Sequence, residues 1–192
     1  MSIFFWSDTH FNHVGIIKFC ARPYNDVAQM NLSLIDRWNA SITSKDTIWF
    51  VGDFGFSAKY EGTTPLNEIF AQLQGHKNLV IGNHDERNPK VLDLPWEKQV
   101  DLATIRDTDM RAVACHYPMT TWKNSHHGYI MVHGHSHGTL KQQMPHRFDV
   151  GADVEMFPVA FKTLWERATV QKYEPADYHG DRNDPKNNTA EI

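Results

Sequence analysis

Short runs of aromatic and β-branched residues, each broken off by a polar cluster, punctuate the chain. Ile3-Phe4-Phe5-Trp6 runs into Ser7-Asp8-Thr9-His10, and Thr47-Ile48-Trp49-Phe50-Val51 into Gly52-Asp53. Leu79-Val80-Ile81 ends in Gly82-Asn83-His84-Asp85, Ala112-Val113-Ala114-Cys115 in His116, and Tyr129-Ile130-Met131-Val132 in His133-Gly134-His135-Ser136-His137. Continuous apolar runs of this length predict strands buried on both faces, with the polar residues at their ends. Between them the period changes. Asp26 is placed to cap a helix whose apolar stripe, Val27, Met30, Leu34, Trp38 and Ile42, covers a sheet. Pro65 at a first helical position, then Leu66, Ile69, Phe70 and Leu73 with Gly75 beyond, predicts a short second helix. Phe148 to Asp153 reads as a late strand and Phe161 to Arg167 as a closing helix. Alternating strands and helices predict an α/β fold, in which ligands bind outside the carboxyl ends of the strands. Polar clusters scattered along the chain can converge there.

Composition narrows the class. With 192 residues, 41% hydrophobic and 12% aromatic, the chain suits one globular domain with a substantial core. That domain is expected over residues 1–172. Residues 173–192 are mostly Asp, Asn, Pro, Gly and charged, with no periodicity, and are expected to form a partly disordered tail. Cys20 and Cys115 alone provide neither a disulfide framework nor an all-thiolate zinc site, which suits a reducing cytoplasm. The first apolar run is too short for a secretory core, and no stretch approaches the roughly 20 apolar residues of a membrane span. No membrane association is expected. A net charge of −4, with no block of like charges, leaves no footprint for an extended nucleic-acid backbone. What remains is an unusual supply of 12 His, most beside Asp, Asn or Gly.

Taken singly, the motifs differ in weight. Asp8 and His10, two apart, would share one face of an extended segment and could share a metal; alone, Asp8 is as often a cap or turn residue. Gly52-Asp53 alone is usually a turn. Gly82-Asn83-His84-Asp85 concentrates an amide, an imidazole and a carboxylate in one tight turn. Gly134-His135-Ser136-His137 is the strongest, because two imidazoles flanked by small residues suggest close backbone approach more than packing volume. His116 alone would be a satisfied buried histidine.

In order, and each after a strand, Asp8-x-His10, Gly52-Asp53, Gly82-Asn83-His84-Asp85, His116 and Gly134-His135-x-His137 resemble the five motifs of the calcineurin-like metallophosphoesterase superfamily. The match spans roughly residues 3–155, and the opening from Ser7 to Pro23 is similar to short bacterial and phage-encoded members. The resemblance implies a four-layer α/β/β/α sandwich, two mixed β-sheets flanked by helices. It also implies that Asp8, His10, Asp53 and His137 bind one metal and that Asn83, His116 and His135 bind a second, with Asp53 bridging. Donors of this mixed kind, without thiolate, suit two divalent cations, Mn first and Fe, Zn or Ni as alternatives, better than calcium. With a bridging hydroxide as nucleophile, such a centre stays net positive toward phosphate. His84 matches the family's non-ligand histidine, the proton donor to the leaving oxygen, and Asp85 is placed to orient it. Phe54-Gly55-Phe56 departs from the Asp-Arg-Gly continuation of the protein Ser/Thr phosphatases, which points away from that branch.

Other residues have weaker roles in this reading. His13, Arg22 and Arg87 are candidates for substrate contact, with packing or solvated surface as the alternatives, as for His126 and His127. His133 is expected to be structural, and Asp149 and Asp153 to brace the late strand and its turn. The leading expectation is a dinuclear phosphoesterase acting on a small phosphodiester or phosphomonoester, a nucleotide among the options. A nuclease acting on DNA or RNA ends is the enzymatic alternative, disfavoured by the missing basic stripe. A non-catalytic metal-binding module is the third, but such scaffolds usually lack the histidine that His84 matches or several ligands.

Overall fold

The structure, a computed structural model, describes residues 1–176. One sheet has the order β4-β3-β2-β1-β9, built from β1 (Ile3–Trp6), β2 (Thr47–Phe50), β3 (His76–Val80), β4 (Lys98–Val100) and β9 (Val159–Ala160). Its pairings are parallel except that of β9 with β1. The other has the order β5-β6-β7-β8, from β5 (Leu102–Asp107), β6 (Met110–Cys115), β7 (Ile130–His133) and β8 (Arg147–Asp149), with only the β5–β6 pair antiparallel. Both sheets are mixed, as expected.

Their apolar runs are uninterrupted because each face meets a different neighbour. From β1 and β2, Trp6, Ile48 and Phe50 enter a core beneath the helices, while Phe5 and Val51, just past β2, enter a second core shared with Ala112, Ala114, Ile130 and Val132 of the facing sheet. Val113 and Met131 point the other way, packing against Trp122 and Tyr129. The alternation of side chains on a strand thus sorts one apolar sequence into separate cores. Helices α1 (Val14–Phe19), α2 (Val27–Ser41) and α3 (Leu66–Gln72) flank the first sheet, with Ile16, Met30, Leu34, Trp38, Ile69 and Phe70 in its core. Each such buried side chain contributes roughly 1.5–3 kcal/mol. Asp26 caps α2 as predicted, its carboxylate accepting the Gln29 amide at 2.8 Å. A short α4 (Pro89–Leu92) follows β3, and α5 (Phe161–Thr169) packs against β1, β9 and β6.

The sequence pattern misses α1, α4, β4, β5 and β9. Leu102 to Asp107 alternates exposed and buried positions on an edge strand, so its apolar residues, Leu102, Ala103 and Ile105, form no continuous run. Pro65 precedes α3 as its cap instead of occupying the first turn. Tyr173, placed in the tail by composition, stacks on Trp122 (5.4 Å between centroids) and His146 (4.6 Å), so the packed domain extends past 172. The tail expectation for 177–192 lies outside the described residues.

Candidate functional site

The loops leaving β1 and β2 stay paired beyond the strands: the Asp8 amide donates to Gly52 O (3.0 Å) and the His10 amide to Asp53 O (3.1 Å). This brings the first two motifs side by side. Asp8-Thr9-His10 is not the extended segment its spacing suggests, for Asp8 (φ 55°) and His10 (φ 49°) are left-handed, as are Asp53 (φ 59°), His135 (φ 66°) and His137 (φ 47°). For a non-glycine residue that conformation costs about 1–2 kcal/mol, and such strain concentrates at functional sites. Two glycines make the approach possible. A Cβ on Gly82 would lie 2.4 Å from Asp53 Oδ1, and one on Gly134 would lie 2.3 Å from Asp8 Oδ2.

Asp53 Oδ2 is the centre of the cluster. The Nε2 atoms of His116, His10 and His84 lie 3.4, 3.7 and 3.9 Å from it. Asp8 Oδ1 lies 3.8 Å from Nε2 of both His10 and His137. All but the 3.4 Å contact of His116 exceed hydrogen-bond length, and donors separated by about 3–4 Å are what an ion with bonds of ~2.1 Å requires. Both ring nitrogens of His10 are buried without a hydrogen-bond partner, and a cation at Nε2 would account for one of them. On the other flank Asn83 Oδ1 faces His116 Nε2 (3.1 Å) and His135 Nδ1 (3.0 Å). Asp8, His10 and His137 form one group able to hold a cation; Asp8, Asp53 and His116 form another, and His10, Asp53 and His84 a third.

Behind these donors, partners fix which nitrogen faces the cluster. His116 Nδ1–H donates to Val51 O (2.8 Å), leaving Nε2 for the site. His137 Nδ1–H donates to Asp153 Oδ2 (2.7 Å), and Arg22 grips that carboxylate through Nε and Nη2, each at 2.7 Å. Arg22 also donates to the Asp8 and Thr9 carbonyls. It is therefore not the solvated surface residue of the alternative reading: it is buried and each guanidinium nitrogen has a partner in the chain. Asp153 does more than brace a turn, because it orients a histidine of the site. Asp149, by contrast, serves the turn, accepting the Gly138 and Gly151 amides. His133 is buried and its Nδ1 contacts Gly134 O, in keeping with a structural role.

Electrostatics divide the acids. Burial pushes the Asp8 carboxyl up to about 7 despite the nearby His116 and His137. Burial also opposes ionisation of Asp53, but the hydrogen bond and charge of His116 overcome it and hold Asp53 at about 2. His116 is the counterpart: burial works against its charge, yet Asp53 and Asp8 raise it to about 9. Burial lowers His10 and His135, which keeps their lone pairs available. Burial is likewise outweighed at Asp153, where His137 and Arg22 hold the carboxylate at about 2.

Asp85 lies elsewhere than expected. Its carboxylate accepts the Asp53 (2.7 Å), Phe54 (2.9 Å) and Gly82 (3.0 Å) amides, so it ties the second and third motifs together instead of holding the His84 ring. His84 donates its backbone N–H to Asp53 Oδ1 (2.9 Å), and its side chain is 42% exposed. His13 lies next to it, with a ring-centroid distance of 6.4 Å, and both pack on Phe56. Phe56 carried no signal as a site residue, although an aromatic three residues after Gly52-Asp53 could have suggested one. His13, Phe56 and His84 line a cleft of about 1250 Å³. Arg87 also lines it, exposed and near Glu86.

Comparison with known proteins gives the chain a family. The family model of the calcineurin-like phosphoesterase superfamily domain matches residues 1–148. An uncharacterized protein, MJ1445, of Methanocaldococcus jannaschii is 32% identical over 143 residues, covering 74% of this chain and 73% of that protein. The Gene 66 protein of Mycobacterium phage D29 is 23% identical, covering 79% and 88%. Among solved structures, a protein of unknown function, AQ665, from Aquifex aeolicus aligns with a TM-score of 0.69 at 19% identity, over 86% of this chain and 98% of that one, which shows a shared fold. With its five motifs gathered at the strand ends and most of its length matched, this chain belongs to the calcineurin-like phosphoesterase superfamily.

Proposed function

We propose that this chain is a dinuclear, metal-dependent phosphoesterase that hydrolyses a small phosphodiester or phosphomonoester. The observation that carries the reading is Asp53 Oδ2, faced by three imidazole Nε2 atoms at 3.4 to 3.9 Å and too far from two of them for a hydrogen bond. Asp8, His10, Asp53 and His137 would hold one divalent cation; Asn83, His116 and His135 would hold the second, with Asp53 shared. Imidazole, amide and carboxylate donors fit Mn first, with Fe, Zn or Ni as alternatives. When bound, two such ions supply a water of lowered pKa and positive charge for the phosphoryl oxygens.

The remaining work falls to the chain. His84 lines the cleft with Nε2 3.9 Å from Asp53 Oδ2, and its backbone is pinned by Asp53 Oδ1. It is the proton donor: hydrolysis forms a bond from water oxygen to phosphorus and breaks the one to the leaving oxygen, which takes the proton from His84. Such a donor contributes roughly 10²–10⁴ in rate. Asp85 keeps the Asp53 and Gly82 loops in register, and Arg22 with Asp153 keeps His137 turned inward.

The test is hydrolysis of bis(p-nitrophenyl) phosphate and of p-nitrophenyl phosphate by metal-stripped protein, before and after Mn²⁺ is restored, with Asp53→Asn as the control. Turnover that needs the ion and disappears in the variant is expected. No turnover with two ions bound per chain would replace the phosphoesterase reading with a binding role.

A further inference from the structure

We propose that the cleft beside His84 is a subsite for the leaving nucleotide of a phosphodiester substrate, taking its base and a second phosphate. This rests on the phosphoesterase reading and narrows its substrate to molecules of dinucleotide size or nucleic-acid ends. Three observations carry it. The cleft, about 1250 Å³, is larger than the 300–1,000 Å³ typical of a small-molecule pocket, and a monoester or a single cyclic nucleotide would leave much of it to water.

Its charge is opposite to that of the chain. Lys18, Lys59, Arg87 and Lys90 line it against Asp26 and Glu61, within a protein of net charge −4. Two of these charges are partly spent, since Arg87 lies 3.7 Å from Glu86 and Asp26 caps α2. Lys18, Lys59 and Lys90 are exposed and free to meet a phosphate.

Its walls are aromatic where a base would lie. Phe56, packed against His13 and His84, lines the cleft, and so does Tyr60, which is 68% exposed. An exposed tyrosine in a cleft that Lys18, Lys59 and Lys90 also line is a combination that holds single-stranded nucleotides, one part stacking and the other meeting the backbone. Polarity follows from His84. Since the donor to the leaving oxygen lines the cleft, the portion that departs is the portion the cleft holds. The net acidity of the chain outside the cleft argues against long duplexes and for short chains or ends.

Two measurements test it separately from the chemistry. With Mn²⁺ present, the dinucleotide pTpT should be cleaved with a KM that rises about tenfold in Tyr60→Ala and in Lys90→Glu, while kcat/KM for bis(p-nitrophenyl) phosphate stays as in wild type. In EDTA, millimolar pTpT should shift the backbone amide resonances of residues 56–61 and 87–90, less so in either variant and less at higher salt. Indifference of both KM values, or shifts elsewhere, would overturn the subsite even if the p-nitrophenyl diester is hydrolysed. Amide shifts that depend on Tyr60 and Lys90 without hydrolysis of either diester would keep the subsite and remove the phosphoesterase reading. A drop in Lys90→Glu alone would leave an anion site without base stacking and contradict a nucleotide.

Discussion

On one side of Asp53 stand Asp8, His10 and His137; on the other, Asn83, His116 and His135. The first half is sunk in the fold: Asp8 is 0% and His10 1% exposed, and a partly buried arginine–aspartate pair holds His137 from behind. The second half is uneven. His116 is fully buried and tied to Val51 O, but Asn83 is only half-buried and His135 is exposed, its ring meeting Asn83 Oδ1 and the edge of Tyr117. On the proposed reading, the difference teaches how one centre could keep an ion and still admit a substrate. A half whose donors are locked by charged partners has little reorganisation left to do when a cation arrives, whereas the open half must order His135 and shed water. The buried half should therefore fill first and exchange last.

The comparison breaks most completely at the residue both halves share. Asp53→Asn should lower hydrolysis of bis(p-nitrophenyl) phosphate by more than about 100-fold, the upper end of what losing a mere supporter of a ligand costs, with an unchanged far-ultraviolet circular dichroism spectrum. His84→Ala comes next. It should reduce kcat by roughly 10²–10⁴ while metal content by elemental analysis stays at the wild-type value; loss of an ion would make His84 a ligand instead of a proton donor.

Asp153→Asn sharpens the contrast between the halves. It removes the charge that holds His137 and should weaken the tighter metal step by about 10–100-fold, leaving the weaker step unchanged in a calorimetric titration. Acidity separates them more gently. His116 sits at about 9 in the metal-free protein, so at neutral pH it carries a proton that a cation at Nε2 must displace. Affinity of the open half should rise by up to about tenfold per pH unit between 7 and 9 and then level off, with one proton released per ion in buffers of different ionisation enthalpy.

How much of this could be read from the chain depends on how local each signal is. The strand-then-polar-cluster pattern drew attention to the motifs that hold the seven proposed metal ligands and His84, because each motif is contiguous and follows an apolar run; the roles within them came from the family resemblance. What stayed hidden is long-range pairing. Arg22 and Asp153 are 131 residues apart, and nothing near either one announces the other; only the approach of the β1 and β8 loops, where Ser7 bridges to Gly151, brings them together. Asp85 shows a second limit. Its neighbour in sequence is His84, which suggested an orienting role, yet the turn aims its carboxylate at backbone amides of two other motifs. The left-handed backbone at Asp8 and His10 was equally invisible, since their spacing fits a strand as well as the loop they form.

The most direct measurement is a titration of metal-stripped protein with Mn²⁺ by isothermal calorimetry, paired with elemental analysis of the saturated sample. The account predicts two ions per chain bound in two resolvable steps, the tighter one weakened in Asp153→Asn and both lost in Asp53→Asn. One ion per chain, or two equal steps that Asp153→Asn affects alike, would contradict a dinuclear centre with unequal halves.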